Sequence, residues 1–506
     1  MLAAAEGLDT LEAIVPWDAA LLAGRDDERL VSPAAFAGEA MAADAIEARL
    51  AVRKADDAAI FVYTSGTTGH PKCAMITHAN ILWLLEATAH FVDFYTDDLA
   101  LSFLPMAHVA ERILAFYGRI NAGYATAFAT SFATVLDELG EVQPSIFGSV
   151  PRLFEKAYAR VQTELERKPP LVRRLFAWAD GVGRARAGHV IAGTPTPLPL
   201  RLQHAIADKL VLSKVRAAFG GRVRYCVTGA APTPREVLAF FWGAGVPLYE
   251  VYGQTEATVV THGNTPGRVR LGTVGQLIPG LEQKIADDGE LLIRGPAVFA
   301  GYHRDPEATA EAIRDGWLHT GDIARIDADG YVSITDRKKH IIITAGGKNL
   351  TPANIEKAIK AADPLIGHVH AHADKRAYVS ALIVPGPLET LAFGLGRGIV
   401  DRATHDARAA ELIADPSVRT VALTAAMAPV IALPEYRERI RAAVAAGNKA
   451  LSHAEQVRRF VILDRDFSQA GGELTPTMKV RRKAVEQAYG DVLDRIYDEP
   501  GFALEP

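Results

Sequence analysis

Short β-type runs and longer amphipathic stretches follow one another along most of the chain. Residues 59–63 (AIFVY) are rich in β-branched and aromatic side chains, which favours a strand. Residues 78–90 carry apolar side chains at helical spacing, and residues 223–227 alternate as a half-buried strand does. Further short strands are predicted at 100–105, 247–251 and 290–295. The pattern therefore predicts a chain that mixes strands with helices.

The last third of the chain has a different pattern of predicted strands and helices. Asp329 and Gly330 form a hairpin turn signal between two β-type runs. From residue 338 onwards, a short strand at 341–344 precedes a helix that opens near Pro352, a residue suited to a first helical turn. The pattern therefore predicts an α+β structure for this part of the chain.

The stretch after the first strand holds small polar residues that suit an anion site. Glycine lets the backbone approach a ligand closely, and successive N–H groups in such a turn form an anion-binding concavity. Hydroxyl donors and one lysine complete the set, which comprises Thr64, Ser65, Gly66, Thr67, Thr68, Gly69 and Lys72. A Walker A loop is excluded because Pro71 precedes the lysine. By composition alone, a surface turn is the alternative.

Further candidate residues follow later strands. Residues 229–231 (Gly, Ala, Ala) come after the strand at 223–227, and small residues there suit the edge of a ligand crevice. The turn at 252–256 follows the next strand, and Asp322 ends a later one. Taken singly these signals are weak, since a carboxylate at a strand end often only caps a turn. A lone histidine such as His108 is likewise more often structural than catalytic.

Bulk properties narrow the class of protein. A chain of 506 residues is long enough for more than one domain, and 49% hydrophobic with 23% charged residues is ordinary for a globular protein. The net charge of -5 gives no general attraction to nucleic acid, so no nucleic-acid partner is expected. Two distant cysteines, no basic leader and no long apolar run favour a cytoplasmic protein. The sequence has no zinc-type Cys/His cluster.

The order of these patterns resembles the adenylate-forming (AMP-binding) superfamily, which includes acyl-CoA synthetases, fatty acyl-AMP ligases and luciferases. The resemblance runs from about residue 58 to 490 and comprises five motifs in the family's order. One departure is Cys73, where the family usually has glycine. Two segments, LPMAHVAER at 104–112 and SIFGSVPRLFEK at 145–156, look like the long-chain fatty acyl-CoA synthetases in particular.

The resemblance implies a nucleotide site. The loop at 64–72 would hold the phosphates of ATP, residues 229–231 would carry adenine, and Tyr252 would stack on it. The family's aspartate and arginine that bind ribose match Asp322 and Arg337. The implied cofactor-binding residues are Thr64, Ser65, Gly66, Thr67, Thr68, Gly69, Lys72, Gly229, Ala230, Ala231, Tyr252, Gly253, Thr255, Asp322, Arg337, Gly346 and Gly347.

The resemblance also implies the catalytic residues. Thr255 would meet the α-phosphate and Glu256 would help to hold Mg²⁺, a hard cation that prefers oxygen ligands. Lys479, in a motif near the C-terminus, would reach the acyl-adenylate. The implied catalytic set is Lys479, Thr255, Glu256 and Lys72, with Glu256 as the metal ligand and His108 lining the acyl site. A lysine in a Gly/Thr loop is otherwise usually just solvated.

The implied fold class is α/β, with two domains. Residues 1–336 would form a large adenylation domain of packed α/β sheets, and residues 337–506 a smaller, mobile α+β domain that turns on Asp336. The family usually has far more chain before the phosphate loop, so the large domain is expected to be N-terminally shortened and incomplete at that end.

The implied activity is that of a long-chain fatty acid–CoA ligase. It would use ATP and Mg²⁺ to convert a fatty acid to acyl-AMP, and then transfer the acyl group to CoA as co-substrate. Two alternatives remain open: a fatty acyl-AMP ligase that loads a carrier protein, and a truncated, non-catalytic paralogue. The acyl chain length and the oligomeric state stay open as well.

Helical, arginine-rich sequence fills residues 156–216. A basic face on these helices would suit peripheral contact with a membrane. Solvated helix faces with interspersed acidic residues are the alternative, and the sequence favours them.

Overall fold

The computed structural model describes residues 6–8, 10–16, 18, 27–38, 41–64, 71–89, 92–131, 134–166, 168–414, 419–475 and 480–506. Its contacts divide the chain into two compact units, residues 1–57 and residues 58–506. In the first unit, Ile14 and Leu30 form a parallel β-bridge, and Ser32 caps a short helix by accepting a hydrogen bond from the N–H of Ala35.

The strands of the described chain are, in order, β1 Ala58–Thr64, β2 Lys72–Thr77, β3 Leu99–Ser102, β4 Ala125–Phe128, β5 Ile146–Ser149, β6 Tyr225–Thr228, β7 Leu248–Tyr252, β8 His262–Gly263, β9 Gln276–Leu277, β10 Glu282–Ile285, β11 Glu290–Arg294, β12 Gly301–Tyr302, β13 Ile313–Arg314, β14 Trp317–Ile326, β15 Val332–Arg337, β16 Ile342–Ile343, β17 Asn349–Leu350, β18 Ile366–His372, β19 Val379–Pro385 and β20 Val457–Ile462.

The α-helices of the described chain are α1 Pro33–Ala37, α2 Ala43–Ala51, α3 His78–Ala89, α4 Gly118–Ala122, α5 Val135–Val142, α6 Pro151–Glu166, α7 Pro170–Ile191, α8 Leu198–Ala207, α9 Ser213–Ala218, α10 Arg235–Ala244, α11 Pro306–Ala312, α12 Pro352–Lys360, α13 Pro387–Leu395, α14 Arg402–Ala414, α15 Val421–Ile431, α16 Pro434–Asn448, α17 Arg482–Ala488 and α18 Gly490–Asp498. Two π-helices, Glu111–Tyr117 and Asp208–Leu212, and 3₁₀ turns at Thr255–Ala257 and Lys338–His340 complete the described elements.

A seven-stranded sheet positions the candidate residues at 229–231 and 252–256. Its order is β4-β3-β5-β6-β7-β8-β9, and the pairs from β4 to β7 are all parallel. The carboxyl ends of parallel strands meet at one edge, which is where ligands bind in open α/β sheets. An aromatic-rich core that includes Phe154, Phe240 and Phe241 packs beneath this sheet.

Two antiparallel sheets supply the rest of the site. The first has the order β1-β2-β12, and the second has the order β10-β11-β14-β13 with β15 paired to β14. They share one core with α3, in which Ile76, Leu84 and Leu291 are fully buried. β14 and β15 are joined by the predicted hairpin turn, where Gly330 has φ +81°.

The C-terminal part is α+β, as the sequence predicts. β18, β19 and β20 form a three-stranded sheet, and all seven residues of β19 are buried. Helices α12, α13, α15 and α16 contribute to its core, which includes Ile355, Met427 and Tyr436. The predicted α/β fold class is confirmed, and α12 begins with Pro352 as expected. The domain boundary at 336/337 stays a prediction.

Candidate active site

The two ends of the predicted phosphate loop are paired strand residues. Thr64 ends β1 and Lys72 begins β2, and the two face each other in the antiparallel register, with the Thr64 hydroxyl 3.4 Å from the Lys72 carbonyl oxygen. The ammonium group of Lys72 lies 5.2 Å from the centre of the Tyr302 ring. Ser65, Gly66, Thr67, Thr68 and Gly69 lie outside the described residues.

Tyr302 connects this hairpin to the predicted metal ligand. Its hydroxyl donates a 2.7 Å hydrogen bond to Oε1 of Glu256, whose backbone carbonyl accepts from the N–H of Phe299. Burial, with the Glu256 charge as a second cause, raises the pKa of Tyr302, so the phenol stays a donor. Lys72 and Glu256 therefore both contact Tyr302, Lys72 over its ring and Glu256 at its hydroxyl. Sequence reasoning missed Tyr302, which belongs to no motif.

The donors around Glu256 are compatible with the Mg²⁺ that the family implies. Mg²⁺ in nucleotide sites is usually held by one or two carboxylates together with phosphate oxygens and water. Glu256 supplies one carboxylate, and Thr255 adds a hydroxyl in the same 3₁₀ turn. Both residues directly follow the carboxyl end of β7, on the side of the sheet where a nucleotide is expected.

The small residues 229–231 directly follow β6, and Gly229 packs against Val251 of β7. A Cβ added to Gly229 would stand 3.0 Å from Val251 Cγ2 and 3.1 Å from its carbonyl oxygen, so Val251 would have to shift by a few tenths of an ångström to admit it. Ala230 has φ +69°, a left-handed conformation that is uncommon outside glycine. This backbone leaves the edge open for a flat ligand.

Tyr252, Asp322 and Arg337 form a single polar group. The Tyr252 hydroxyl donates a 2.6 Å hydrogen bond to Oδ2 of Asp322, and Nε of Arg337 lies 3.2 Å from Oδ1 of the same carboxylate. The Asp322 side chain is buried, while Arg337 is half-exposed. Burial, with the Asp322 charge next, raises the pKa of Tyr252 well above its usual range. Tyr252 and Arg337 thus both contact the carboxylate of Asp322, and the three residues come from three different predicted motifs.

Glycine at position 253 is required by packing. An added Cβ would lie 1.8 Å from the carbonyl oxygen of Val259, far inside any permitted contact. Val259 itself has φ +79°, as part of a turn in which Thr258 is also left-handed. A β-branched residue in this region stores strain, and such strain is concentrated at ligand sites.

Glu290 supports Asp322 from the neighbouring strand, and no sequence signal identified it. Its buried carboxylate accepts from the N–H of Gly321 at 2.8 Å and contacts Nδ1 of His319 at 3.1 Å. Oε2 also lies 2.9 Å from the ammonium of Lys338, which is 2.6 Å from Asp288. Glu290 therefore joins the turn before Asp322 to the chain just beyond residue 336.

Asp336, the predicted hinge, is buried at the end of β15. Its Oδ1 accepts from the N–H of Arg337 at 2.6 Å, and Oδ2 accepts from the N–H of Ala353 at 3.4 Å. Burial raises the pKa of this carboxyl. Asp336 thus links β15 directly to the first turn of α12.

Gly346 and Gly347 lie in the turn that joins β16 to β17. The Gly347 N–H donates to the carbonyl of Thr344 at 2.8 Å, and Gly347 has φ +74°. A Cβ at Gly346 would meet only the Thr344 hydroxyl, at 4.0 Å, and one at Gly347 would meet nothing within 4 Å. This turn requires glycine at 347 for its conformation, whereas Gly346 has open space beside it.

The segment containing His108 leads into a π-helix that the sequence did not reveal. Nδ1 of His108 accepts from the N–H of Ala110 at 3.2 Å, and the π-helix Glu111–Tyr117 follows directly. The hydroxyl of Ser102, at the end of β3, donates to the buried carboxylate of Glu111. Burial raises the pKa of Glu111. π-helical turns are rare and often occur at functional sites.

The last predicted catalytic residue, Lys479, lies outside the described residues. Of the other predicted residues, Lys72 and Glu256 both contact Tyr302, and Tyr252 and Arg337 both contact the carboxylate of Asp322. Residues 229–231 and 252–256 and the His108 segment follow the parallel strands β6, β7 and β3. Gly346 and Gly347 lie in a separate hairpin of the C-terminal part.

Comparison with known proteins identifies the family of the chain. The AMP-binding enzyme family matches residues 11–303, which is more than half of the chain. The protein therefore belongs to the AMP-binding enzyme family, and the resemblance drawn from the motifs is confirmed.

Several curated relatives match most of the chain. A "Putative fatty-acid–CoA ligase fadD11" of Mycobacterium tuberculosis is 41% identical over 445 residues, which are 87% of this chain and 74% of that protein. The long-chain-fatty-acid–CoA ligase FadD15 of Mycobacterium bovis is 37% identical over 467 residues, covering 90% and 72%. The long-chain-fatty-acid–CoA ligase ACSBG2 of Gallus gallus is 35% identical over 479 residues, covering 88% and 59%.

Solved structures share the fold at lower identity. The adenylation domain of a carboxylate reductase from Mycobacterium chelonae has a TM-score of 0.63 at 22% identity, covering 88% of this chain and 61% of that one. ATP-bound MatB from Rhodopseudomonas palustris has a TM-score of 0.60 at 22% identity, covering 92% and 75%. At this identity the likeness establishes the fold.

Proposed function

We propose that this protein is a long-chain fatty acid–CoA ligase. It activates a fatty acid with ATP to acyl-AMP and pyrophosphate, and then forms acyl-CoA and AMP with CoA. The names of the relatives at 35–41% identity support the reaction and the substrate class. The observation that carries the proposal is the polar group at Asp322, in which Tyr252 and Arg337 hold one carboxylate beside the carboxyl edge of the parallel strands.

The nucleotide would lie across this edge. A carboxylate held by two donors is a fixed acceptor, suited to the two hydroxyls of ribose. Gly229 and Ala230 leave a backbone surface against which adenine can lie, and Tyr252 borders it. Because packing holds these groups in place before the ligand arrives, binding costs them little conformational entropy.

Lys72, Thr255, Glu256 and Lys479 would handle the phosphates. The carboxylate of the fatty acid attacks the α-phosphorus in line, so the protein contributes mainly position and charge. Mg²⁺, held by Glu256, would neutralise charge on the phosphate oxygens. Lys72 would bind the departing pyrophosphate, and His108 would border the acyl chain.

The two half-reactions would use two positions of the C-terminal domain, residues 337–506. Rotation at Asp336 would exchange the Lys479 loop for the Gly346–Gly347 turn, as in other hinge closures. Such a rotation would break the contacts of Lys338 with Asp288 and Glu290 and the ion pair between Lys360 and Glu155. Asp336 would keep its bond to Arg337, its own neighbour in the chain.

ATP–pyrophosphate exchange with a panel of fatty acids tests the proposal. We expect exchange that depends on a long-chain acid, and AMP release that follows when CoA is added. Asp322→Asn should lose exchange, whereas Asp327→Asn, on the far end of the same hairpin, should retain it. Exchange without AMP release on CoA addition would favour the acyl-AMP ligase. Nucleotide binding without exchange would favour the non-catalytic paralogue.

We further infer a peripheral membrane contact at α7 and α8. Residues 168–222 contain ten Lys and Arg but only two Asp, in a protein of net charge -5. α7, α8 and the π-helix Asp208–Leu212 bury Ala179, Val182, Ala207 and Leu212 in a small shared core. The outer faces of α7 and α8 expose apolar side chains at helical spacing: Leu171, Leu175 and Trp178 on α7, and Leu198, Leu202 and Ile206 on α8.

Cations beside an exposed apolar stripe suit a surface of anionic lipid. In the described part of the chain, no helix is both long and apolar enough to cross a membrane. Flotation with phosphatidylglycerol-containing vesicles should recover the protein, and added salt should reduce the recovery. Leu202→Ser with Ile206→Ser should abolish flotation, while Leu82→Ser, an equally exposed leucine on α3, should not. Equal recovery with neutral vesicles would contradict the inference.

A further inference from the structure

A second cluster of ligand-type side chains lies in the C-terminal part, in none of the predicted motifs. His370 and His372 are two residues apart on β18 and therefore project from the same face of the strand. Glu486 reaches them from α17. One ligand atom from each of the three residues lies within 4.8 Å of the other two.

His370 lacks the hydrogen bonds that a buried imidazole needs. Its side chain is fully buried, and neither ring nitrogen has a hydrogen-bond partner among the described residues. Leaving buried polar atoms unpaired is costly, because they lose their hydrogen bonds to water without replacement. Nε2 lies 3.8 Å from Oε1 of Glu486. This distance is too long for a hydrogen bond but short enough for both atoms to bind one ion placed between them.

The spacing suits a metal ion. Two ligand atoms on a tetrahedral zinc lie roughly 3.3 Å apart, because the Zn–N and Zn–O bonds are about 2.0–2.2 Å long. The ligand atoms of the cluster lie within 4.8 Å of one another, so small changes of side-chain torsion angles would bring them to that separation. Two imidazoles and a carboxylate form a borderline donor set, which favours zinc and neighbouring divalent metals over Mg²⁺ or Ca²⁺.

The charges around the cluster do not forbid a cation. Arg482 places its Nε 3.8 Å from Glu486, and Arg376 and Lys483 add positive charge that acts on His372 and Glu486 respectively. The shorter contacts of Arg482 go to the carboxylate of Glu356 and to the carbonyl of Ala371, so its charge is largely matched there. Asp374 adds negative charge that acts on both His372 and Glu486.

We propose that His370, His372 and Glu486 form a site for a divalent transition metal, of which Zn²⁺ is the best match. Water would take the fourth position, since His372 and Glu486 are only half-buried. The ion would tie α17 to the sheet formed by β18, β19 and β20. Because α17 begins at Arg482, bound metal would fix the chain that directly follows residues 476–479.

Zinc alone is the probe for this site. The purified full-length protein, stripped with a chelator, should compete for Zn²⁺ with a chromophoric chelator at a stoichiometry of one. Glu486→Gln and His372→Gln should each weaken zinc binding at least tenfold, since even outer-shell partners are worth about 10–100-fold. Neither position is fully buried, so both variants should keep the wild-type circular dichroism spectrum.

His368→Gln is the matched control. His368 lies on the same face of β18, but it stacks on Phe467 and faces Asp466 instead of Glu486. Zinc affinity should be unchanged in this variant. Co²⁺ bound to the wild type should give the intense visible absorption bands of a four-coordinate ion, and these should be lost in Glu486→Gln. Wild-type affinity in Glu486→Gln and His372→Gln, or no competition by the wild type, would overturn the site. Neither assay uses ATP, fatty acid or CoA, so its result is independent of the proposed ligase activity.

Discussion

The phenol of Tyr252 and the carboxylate of Asp322 are joined by a 2.6 Å hydrogen bond. Tyr252 ends a strand of the seven-stranded sheet, whereas Asp322 lies in β14 of the five-stranded sheet. The bond therefore ties together the two sheets that border the proposed nucleotide site.

Tyr252→Phe should weaken ATP binding without unfolding the protein. Loss of a hydrogen bond to a charged group costs about 1.5–3 kcal/mol, part of which Arg337 offsets, so we expect KM for ATP to rise roughly tenfold. Tyr158→Phe is the control, because its phenol contacts Glu236 away from this edge at 3.4 Å. Initial rates of pyrophosphate exchange against ATP concentration provide the measurement. An unchanged KM in Tyr252→Phe would remove this bond from the nucleotide site.

Lys72→Ala should suppress adenylate formation while the melting temperature stays within about 2 °C, because surface substitutions rarely change stability by more than about 0.5 kcal/mol. Lys284→Ala is matched to it, since Lys284 also lies over an aromatic ring, that of Trp317, at 4.3 Å. This control should retain full exchange activity. If both variants exchange pyrophosphate equally well, Lys72 has no special role with phosphate.

Gly253→Ala should destabilise the fold severely. The new methyl group would overlap the Val259 carbonyl, so the turn after β7 must move, at a cost of roughly 3 kcal/mol or more. Gly263→Ala, in the adjacent strand, places its methyl group 3.5 Å from Val251 and should be tolerated. Thermal denaturation of the two variants side by side measures the difference. Equal denaturation midpoints for Gly253→Ala and Gly263→Ala would show that the turn after β7 can rearrange to accept the methyl group.

Glu250 should make the protein less stable as pH rises. Burial raises the pKa of its carboxyl from 4.5 to about 7. Between these values the folded state holds a proton that the unfolded state has released, so the free energy of unfolding falls across that window, by roughly 3 kcal/mol at most. Below pH 4.5 and above pH 7 this group contributes no further slope.

Glu250→Gln keeps an oxygen for the N–H of Thr233, which Glu250 accepts at 2.8 Å, but it cannot ionise. Its melting temperature relative to the wild type should therefore rise between pH 5 and pH 8. Glu282→Gln is the control, because Arg294 lowers the pKa of that exposed carboxyl and its titration lies below this window. A parallel pH dependence in Glu250→Gln and wild type would contradict the prediction.

Gly346→Leu should slow thioester formation and spare adenylate formation. The position has open space in the fold and no left-handed φ, so a side chain there would crowd only a ligand. Gly347 is a poorer test, because its φ of +74° strains any side chain whether or not CoA binds there. Single-turnover assays of each half-reaction separate the effects. Loss of both half-reactions together would argue against a CoA path at this turn.

Local patterns determined the elements and the family. The β-type run at 59–63, the helix opened by Pro352 and the hairpin at Gly330 all depend on short-range preferences, and the structure has each of them. The order of motifs along the chain likewise indicated the AMP-binding family, because each motif is a contiguous stretch whose chemistry can be read in place.

Only the tertiary structure decided which side chains share a site. Glu290 supports Asp322 from another strand, and Tyr302 stands between Lys72 and Glu256, because strand pairing joins residues that are distant in the sequence. The π-helix after His108 likewise depends on how β3 and Glu111 pack together. His370 and His372 lie on one face of β18, but only the fold brings Glu486 to them, since no local preference links a strand to a helix that follows more than a hundred residues later.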